Sequence, residues 1–283
     1  ILSFQHLKNR TKLLRGLRDK KYQFCSIDNL SELDFSHTKA VLYPFNAMTN
    51  SAIMNYRTPK HLFIGHGDSD KLASYNPMLK MYDHVLVSGN LAIERLLQTN
   101  IFTEYDLQND RVIKIGLPHV GRLEDHKNLS QVNFKPDISI LFAPTWEGIN
   151  DSQHYSSLNN CLATSCLNDM LALFPDAKIC FKPHPATGES QAVYLNYAVE
   201  LINHYSKNSN FSYKVTKESL LYRELVKTNR TAAKKNDESI FNYSDYDLTI
   251  TDISSMITNA LFYGCPSIVI HNSNGNGREA ADS

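Results

Sequence analysis

Along this chain short apolar runs alternate with stretches whose apolar residues recur every three to four positions. That alternation is the signature of strands and amphipathic helices following one another. It predicts an α/β fold built on parallel sheets. In the first half the runs Ala40–Tyr43, His61–Ile64, His84–Val87 and Val112–Ile115 read as strands. Helical spacing fills Asn46–Tyr56 and Asn90–Leu97, with Asn90 placed as the N-cap after Ser88-Gly89. A polar stretch from Gly121 to Asp137 offers little to bury and reads as an inter-domain connection. The alternation then restarts. Ile138–Ala143, Lys178–Phe181, Tyr213–Val215, Leu248–Ile250 and Ser267–Ile270 are predicted strands. Leu158–Leu173, Ser190–Ile202 and Ser255–Tyr263 are predicted helices, and Thr228–Glu238 a charged loop. The expectation is two α/β domains, residues 1–125 and 126–283, with a cleft between the carboxyl ends of their sheets, where open parallel sheets bind ligands.

Composition changes this picture little. The 283 residues suit two domains, and 42% hydrophobic residues are those of an ordinary folded protein. Acids and bases balance at 29 each, so there is no global pull towards nucleic acid, and anion binding has to be local. Cys25, Cys161, Cys166, Cys180 and Cys265 form no CxxC pair and no zinc spacing, which predicts reduced thiols in a cytoplasmic protein. No run reaches the roughly 18–20 apolar residues that span a bilayer. Lys8, Arg10, Lys12, Arg15, Arg18, Lys20 and Lys21 crowd the opening stretch around Leu7, Leu13, Leu14 and Leu17. Such a segment fits either a solvated helix or a helix at an anionic membrane surface. The start at Ile1 and the small polar run Asn272–Ser283 read as the ends of a piece of a longer protein.

Four constellations at predicted strand ends carry chemistry. Gly65-His66-Gly67-Asp68-Ser69-Asp70-Lys71 holds an imidazole between two glycines; histidine suits proton transfer near neutrality, and it also caps turns. Ala143-Pro144-Thr145-Trp146-Glu147-Gly148 contains the chain's single tryptophan, which fits a nucleotide or sugar pocket or a core position. Phe181-Lys182-Pro183-His184-Pro185 mounts an imidazole between two prolines beside a cation, an arrangement suited to phosphate. Thr249-Ile250-Thr251-Asp252-Ile253-Ser254-Ser255-Met256 runs from a strand through a hydroxyl-rich turn into a helix start, where free N–H groups and the helix dipole attract anions; Asp252 or Ser254 also serves as an N-cap there. No Walker loop, GxGxxG fingerprint, metal-ligand spacing or GxSxG elbow occurs, so no metal and no cofactor is expected.

In their order and spacing, His66-Gly67, Ala143-Pro144-Thr145-Trp146, Pro183-His184-Pro185 and Thr251-Asp252-Ile253-Ser254-Ser255 resemble the CDP-glycerol glycerophosphotransferase family, from about Ala40 to Ile270. The family builds teichoic acids and related capsule phosphopolymers. The resemblance implies a GT-B fold, two Rossmann-like domains facing across a cleft. It implies a CDP-linked donor, a polymer or lipid-linked acceptor, and a cytoplasmic enzyme at the inner membrane face. It maps the catalytic histidines onto His66 and His184. Substrate contacts are expected from Gly67, Asp68, Lys71, Thr145, Trp146, Lys182, Asp252, Ser254 and Ser255. Asp68-Ser69-Asp70-Lys71 departs from the family's Thr-Pro, Lys182 stands where Arg is common, and Ile253 replaces Tyr; these positions bear on which donor and acceptor are used. The alternatives are a GT-B glycosyltransferase leaning on a carboxylate such as Asp68 or Glu147, and a non-catalytic nucleotide- or polymer-binding module.

Overall fold

The computed structural model describes residues 34–65, 67–68, 72–117, 137–148, 154–158, 162–229, 231, 233, 236–237, 239 and 241–271. The basic opening stretch, Cys25, Cys161 and the expected boundary between residues 125 and 126 lie outside them. The described residues form two compact units. Residues up to 65 and from Tyr75 to Gly116 make the first; Gly67, Asp68, residues 72–74 and the described residues from Leu117 onward make the second. Both are α/β with wholly parallel sheets.

In the first unit β1 (Ala40–Tyr43), β2 (Lys60–Phe63), β3 (His84–Val87) and β4 (Val112–Lys114) pair in the order β1-β2-β3-β4. Its core gathers Tyr43, Met54, Leu79, Tyr82, Val85, Leu96, Phe102 and Val112. A polar connection runs through that core. The Tyr43 hydroxyl lies 2.7 Å from His61 Nδ1, and His61 Nε2 lies 2.8 Å from the Tyr56 carbonyl. A carbonyl only accepts, so Nε2 carries the proton and Nδ1 accepts from the tyrosine.

Several helices differ from expectation for local reasons. Asn46–Tyr56 reduces to α1 (Asn50–Ile53), which buries no residue; the Asn50 amide instead donates to the Phe45 carbonyl and to Tyr82 Oη. α2 (Asn90–Gln98) is capped by extended Gly89, and the Asn90 side chain, expected as the cap, accepts from Lys114 Nζ at 3.0 Å. α3 (Glu104–Gln108) was not anticipated, although Thr103-Glu104-Tyr105-Asp106 spells its reciprocal capping box.

The second sheet runs β7-β6-β5-β8-β9, from β5 (Ser139–Ala143), β6 (Lys178–Phe181), β7 (Phe211–Tyr213), β8 (Leu248–Thr251) and β9 (Ser267–Val269). The order reverses at β5, so β5 and β8 flank a topological switch point. α4 (Leu162–Leu173), α5 (Ala192–Tyr205), α6 (Leu220–Thr228) and α7 (Ser255–Phe262) complete the unit. β5 is buried on both faces, which is why its sequence is a continuous apolar run. Ile140 and Phe142 enter one core with Ile179, Phe181, Leu201, Ile202 and Ile250; Leu141 and Ala143 enter the other with Cys180, Tyr243 and Ala260. Strand β7 lies two residues before its predicted position. Val215 leaves the ladder because the Asn236 amide takes both its N–H (2.7 Å) and its carbonyl (3.0 Å), as a neighbouring strand would. Cys166, Cys180 and Cys265 form no disulfide among the described residues, and burial pushes Cys166 and Cys180 above the usual thiol value.

One pH dependence follows. Lys80 Nζ, 2.6 Å from Asp106, together with the N–H and hydroxyl of Thr103, holds the Asp106 carboxyl below the usual carboxylate value. A carboxyl lowered by folding stabilises fully above its unfolded value and loses that contribution as pH falls through the folded one. The Lys80→Met variant should therefore be less stable than the parent near neutrality. The gap should close as pH drops below about 4, as read by urea unfolding at stepped pH.

Candidate functional site

The residues singled out in the second half of the sequence converge on the carboxyl ends of β6, β5 and β8. Strand β8 ends in Thr251 and passes directly to Asp252, which is 0% exposed. Both Asp252 oxygens accept from the Thr145 N–H, at 2.8 and 3.0 Å, and Oδ2 also accepts from the Ser157 N–H (2.8 Å) and hydroxyl (3.0 Å). Ser156 Oγ donates to the Thr145 carbonyl at 2.8 Å. Asp252 was expected to contact substrate. Its carboxylate is engaged inside the protein instead, tying the segment after β5 to the end of β8.

Thr251 Oγ1 donates to the Ala143 carbonyl at 2.6 Å and lies 3.1 Å from Ser254 Oγ. Ser254 is the N-cap of α7: its backbone is extended, and its hydroxyl accepts from the Met256 N–H at 3.2 Å. Ser255 opens the helix. The start of α7 thus sits at the switch point.

At the end of β6 the Lys182 N–H donates to the Phe142 carbonyl at 2.8 Å, keeping this segment on the sheet. Lys182 shares the sheet face of Cys180, and its Nζ lies 4.9 Å above the Phe241 ring. Desolvation holds its ammonium below the usual lysine value. Among the described residues no carboxylate lies within ion-pair distance of it. His184 is exposed, and its ring stacks on Trp146 with centroids 6.0 Å apart and an 18° interplanar angle. The Ala186 N–H points at His184 Nδ1 from 3.1 Å. A backbone N–H only donates, so Nδ1 accepts and the neutral ring carries its proton on Nε2. The His184 carbonyl accepts from the Thr187 N–H and hydroxyl, at 3.0 and 2.8 Å.

Glu147 follows Trp146 and is 0% exposed. Its carboxylate accepts from the backbone N–H groups of Gly188 (3.1 Å), Ser190 (3.0 Å) and Gln191 (3.0 Å). The carboxylate that the sugar-transfer alternative names is thus buried and bonded to three backbone amides. Neither its structural part nor those of Ser156, Ser157 and Phe241 could be read from the sequence, because their partners are distant in the chain.

Of the first constellation, His66 and Lys71 lie outside the described residues. Gly67 packs on the start of α7: a Cβ placed there would come within 3.0 Å of Ser255 Cβ. The Asp68 carbonyl accepts from Thr258 Oγ1 on α7 at 3.2 Å. Among the described residues no cluster of histidine, cysteine and acidic side chains could hold a metal ion.

No family model matches the chain, and no curated protein matches it. Among solved structures, the wall teichoic acid polymerase TagF is similar at 13% identity and a TM-score of 0.33. The match covers 72% of this chain and 48% of that one, so the chain spans about half the length of the structure it matches.

The Asp252 clamp is testable by stability. Asp252→Asn places an amide NH₂ against donors and should cost about 2–3 kcal/mol, read as a lower urea midpoint with an unchanged slope. A midpoint equal to that of the parent protein would show that the carboxylate does not hold the Thr145 segment.

Proposed function

We propose that this protein transfers a polyol phosphate, such as glycerol or ribitol phosphate, from a CDP-linked donor to a growing capsule or teichoic-acid-like polymer, releasing CMP. The observation that carries the reading is the convergence of His184, Lys182 and the start of α7 on one sheet edge at a topological switch point. An imidazole with its proton on Nε2, a lysine without a carboxylate partner among the described residues, and helix N–H groups together suit a diphosphate.

In this mechanism the Ser255 N–H at the start of α7 and the Lys182 ammonium hold the diphosphate. Trp146, beside His184, lines the donor pocket. An acceptor hydroxyl gives its proton to His66. Its oxygen forms the new bond to the β-phosphorus, and the bond from that phosphorus to the bridging oxygen breaks, so CMP leaves with that oxygen. His184 donates a hydrogen bond from Nε2 to the transferring phosphoryl group. Phosphoryl transfer depends on positioning and charge neutralisation more than on covalent catalysis, and these residues supply both. The acceptor is a polymer or a lipid-linked primer, met at the inner face of the membrane. The reading takes the protein to act peripherally there; no helix among the described residues is long and apolar enough to cross a bilayer.

The test is release of CMP from CDP-glycerol or CDP-ribitol in the presence of an oligomeric acceptor, with UDP-sugars as controls. His66→Ala and His184→Ala should each lower the rate roughly 10²–10⁴-fold. Release of UDP from a nucleotide-sugar, unaffected by either substitution, would overturn the reading in favour of sugar transfer.

A further inference from the structure

We infer that Glu147 is the positioning residue for the His184 imidazole. The inference rests on the donor-site reading above for its catalytic meaning, but the geometry stands apart from that reading. The segment that follows His184 is held at its far end by one carboxylate: Gly188, Ser190 and Gln191 all donate their N–H groups to Glu147. At its near end the His184 ring stacks on Trp146, the residue next to Glu147. Two consecutive residues therefore grip one loop at both ends, one through a ring and one through the backbone.

The loop is also fixed laterally. Gly188 has φ +82°, and a Cβ there would come within 2.7 Å of Leu195 Cβ, so the loop lies against the first turn of α5 without room to slide. The Gln191 side chain at the head of that helix makes no capping bond. Glu147 places a carboxylate there instead, at the end of a helix that favours negative charge. All three partners are donors, which matches an acceptor-only carboxylate; glutamine would turn an NH₂ towards an N–H. Without Glu147 the loop keeps its local turn bonds, from Thr187 and Ala186 to His184, but loses its attachment to the segment that carries Trp146. The imidazole then keeps its tautomer and loses its place.

Trp146 is the only tryptophan in the chain, so its emission reports the ring pair directly. A charged imidazolium stacked on an indole quenches it, and the parent protein should show an emission step on acidification that His184→Gln abolishes. In Glu147→Gln, with far-UV circular dichroism retained, the amplitude of that step should fall at least about twofold as the stack loosens. In the same protein kcat for CMP release should fall about 10–100-fold, with KM for the CDP-linked donor within about threefold, the pattern of a misplaced group. A full-amplitude step in Glu147→Gln, or no step in the parent protein, would overturn the inference. If the emission changes as expected while the parent protein releases no CMP from any donor, the positioning role stands and the transferase reading fails. Should Glu147→Gln not fold, hydrogen exchange of the parent protein decides. Slowing of the Gly188, Ser190 and Gln191 amides by about 100-fold or more is expected, and exchange at unprotected rates would overturn the role.

Discussion

The second unit depends on a buried carboxylate at the end of β8. Asp252 has no contact with solvent, and its carboxylate is tolerated because N–H and O–H donors from Thr145 and Ser157 surround it. These donors belong to chain segments about a hundred residues earlier. The end of β8 therefore cannot take its form until the segment after β5 has folded against it. Thr251, one residue before, adds a hydroxyl bond to the Ala143 carbonyl, so two strand ends are tied by side chains just beyond the last ladder bond. A parallel sheet that reverses its strand order leaves an opening at this point. Here the opening is braced rather than loose.

The brace extends one strand further through Glu147. Taken together, Asp252 joins β8 to β5 and Glu147 joins β5 to β6, each by a carboxylate facing backbone amides. Carboxylates in such places hold form without presenting charge to a ligand. Of the remaining site groups, His184 is exposed, Ser255 is partly exposed and Lys182 is half-buried over the Phe241 ring. Both buried carboxylates are thus spent on the protein's own backbone.

How much of this was legible in the sequence depends on range. The strands were legible because a run such as Ile138–Ala143 has few other ways to bury five apolar residues. All nine strands among the described residues lie within about two residues of their expected places. Short helices were less so. Asn50 bonds Phe45 and Tyr82 where a longer helix was expected, and Gly89 took the cap expected of Asn90. The capping box at Thr103 was written in the chain and identifies α3 after the fact. The site residues after the strands of the second sheet were legible as types, since rigid prolines around His184 and hydroxyls before a helix carry local meaning. Their division of labour was not. Nothing near Asp252 or Glu147 in the sequence says that one meets Thr145 and the other meets amides 41 to 44 residues later. The sequence motif and the buried anchor look alike until the partners are in view.

The loop bonded by Glu147 also bears on how this protein can change over time. Its attachment runs from one side chain to backbone amides, and a backbone amide is present whatever residue stands there, proline excepted. Ala186, Glu189 and Ser190 can therefore be exchanged without loosening the anchor, while Glu147, Gly188 and the tryptophan beside the histidine cannot. Exposed Glu189 and Ser190 stand close along the chain to His184. New preferences for a partner molecule can accumulate there by single substitutions, with the imidazole held still while its surroundings diversify.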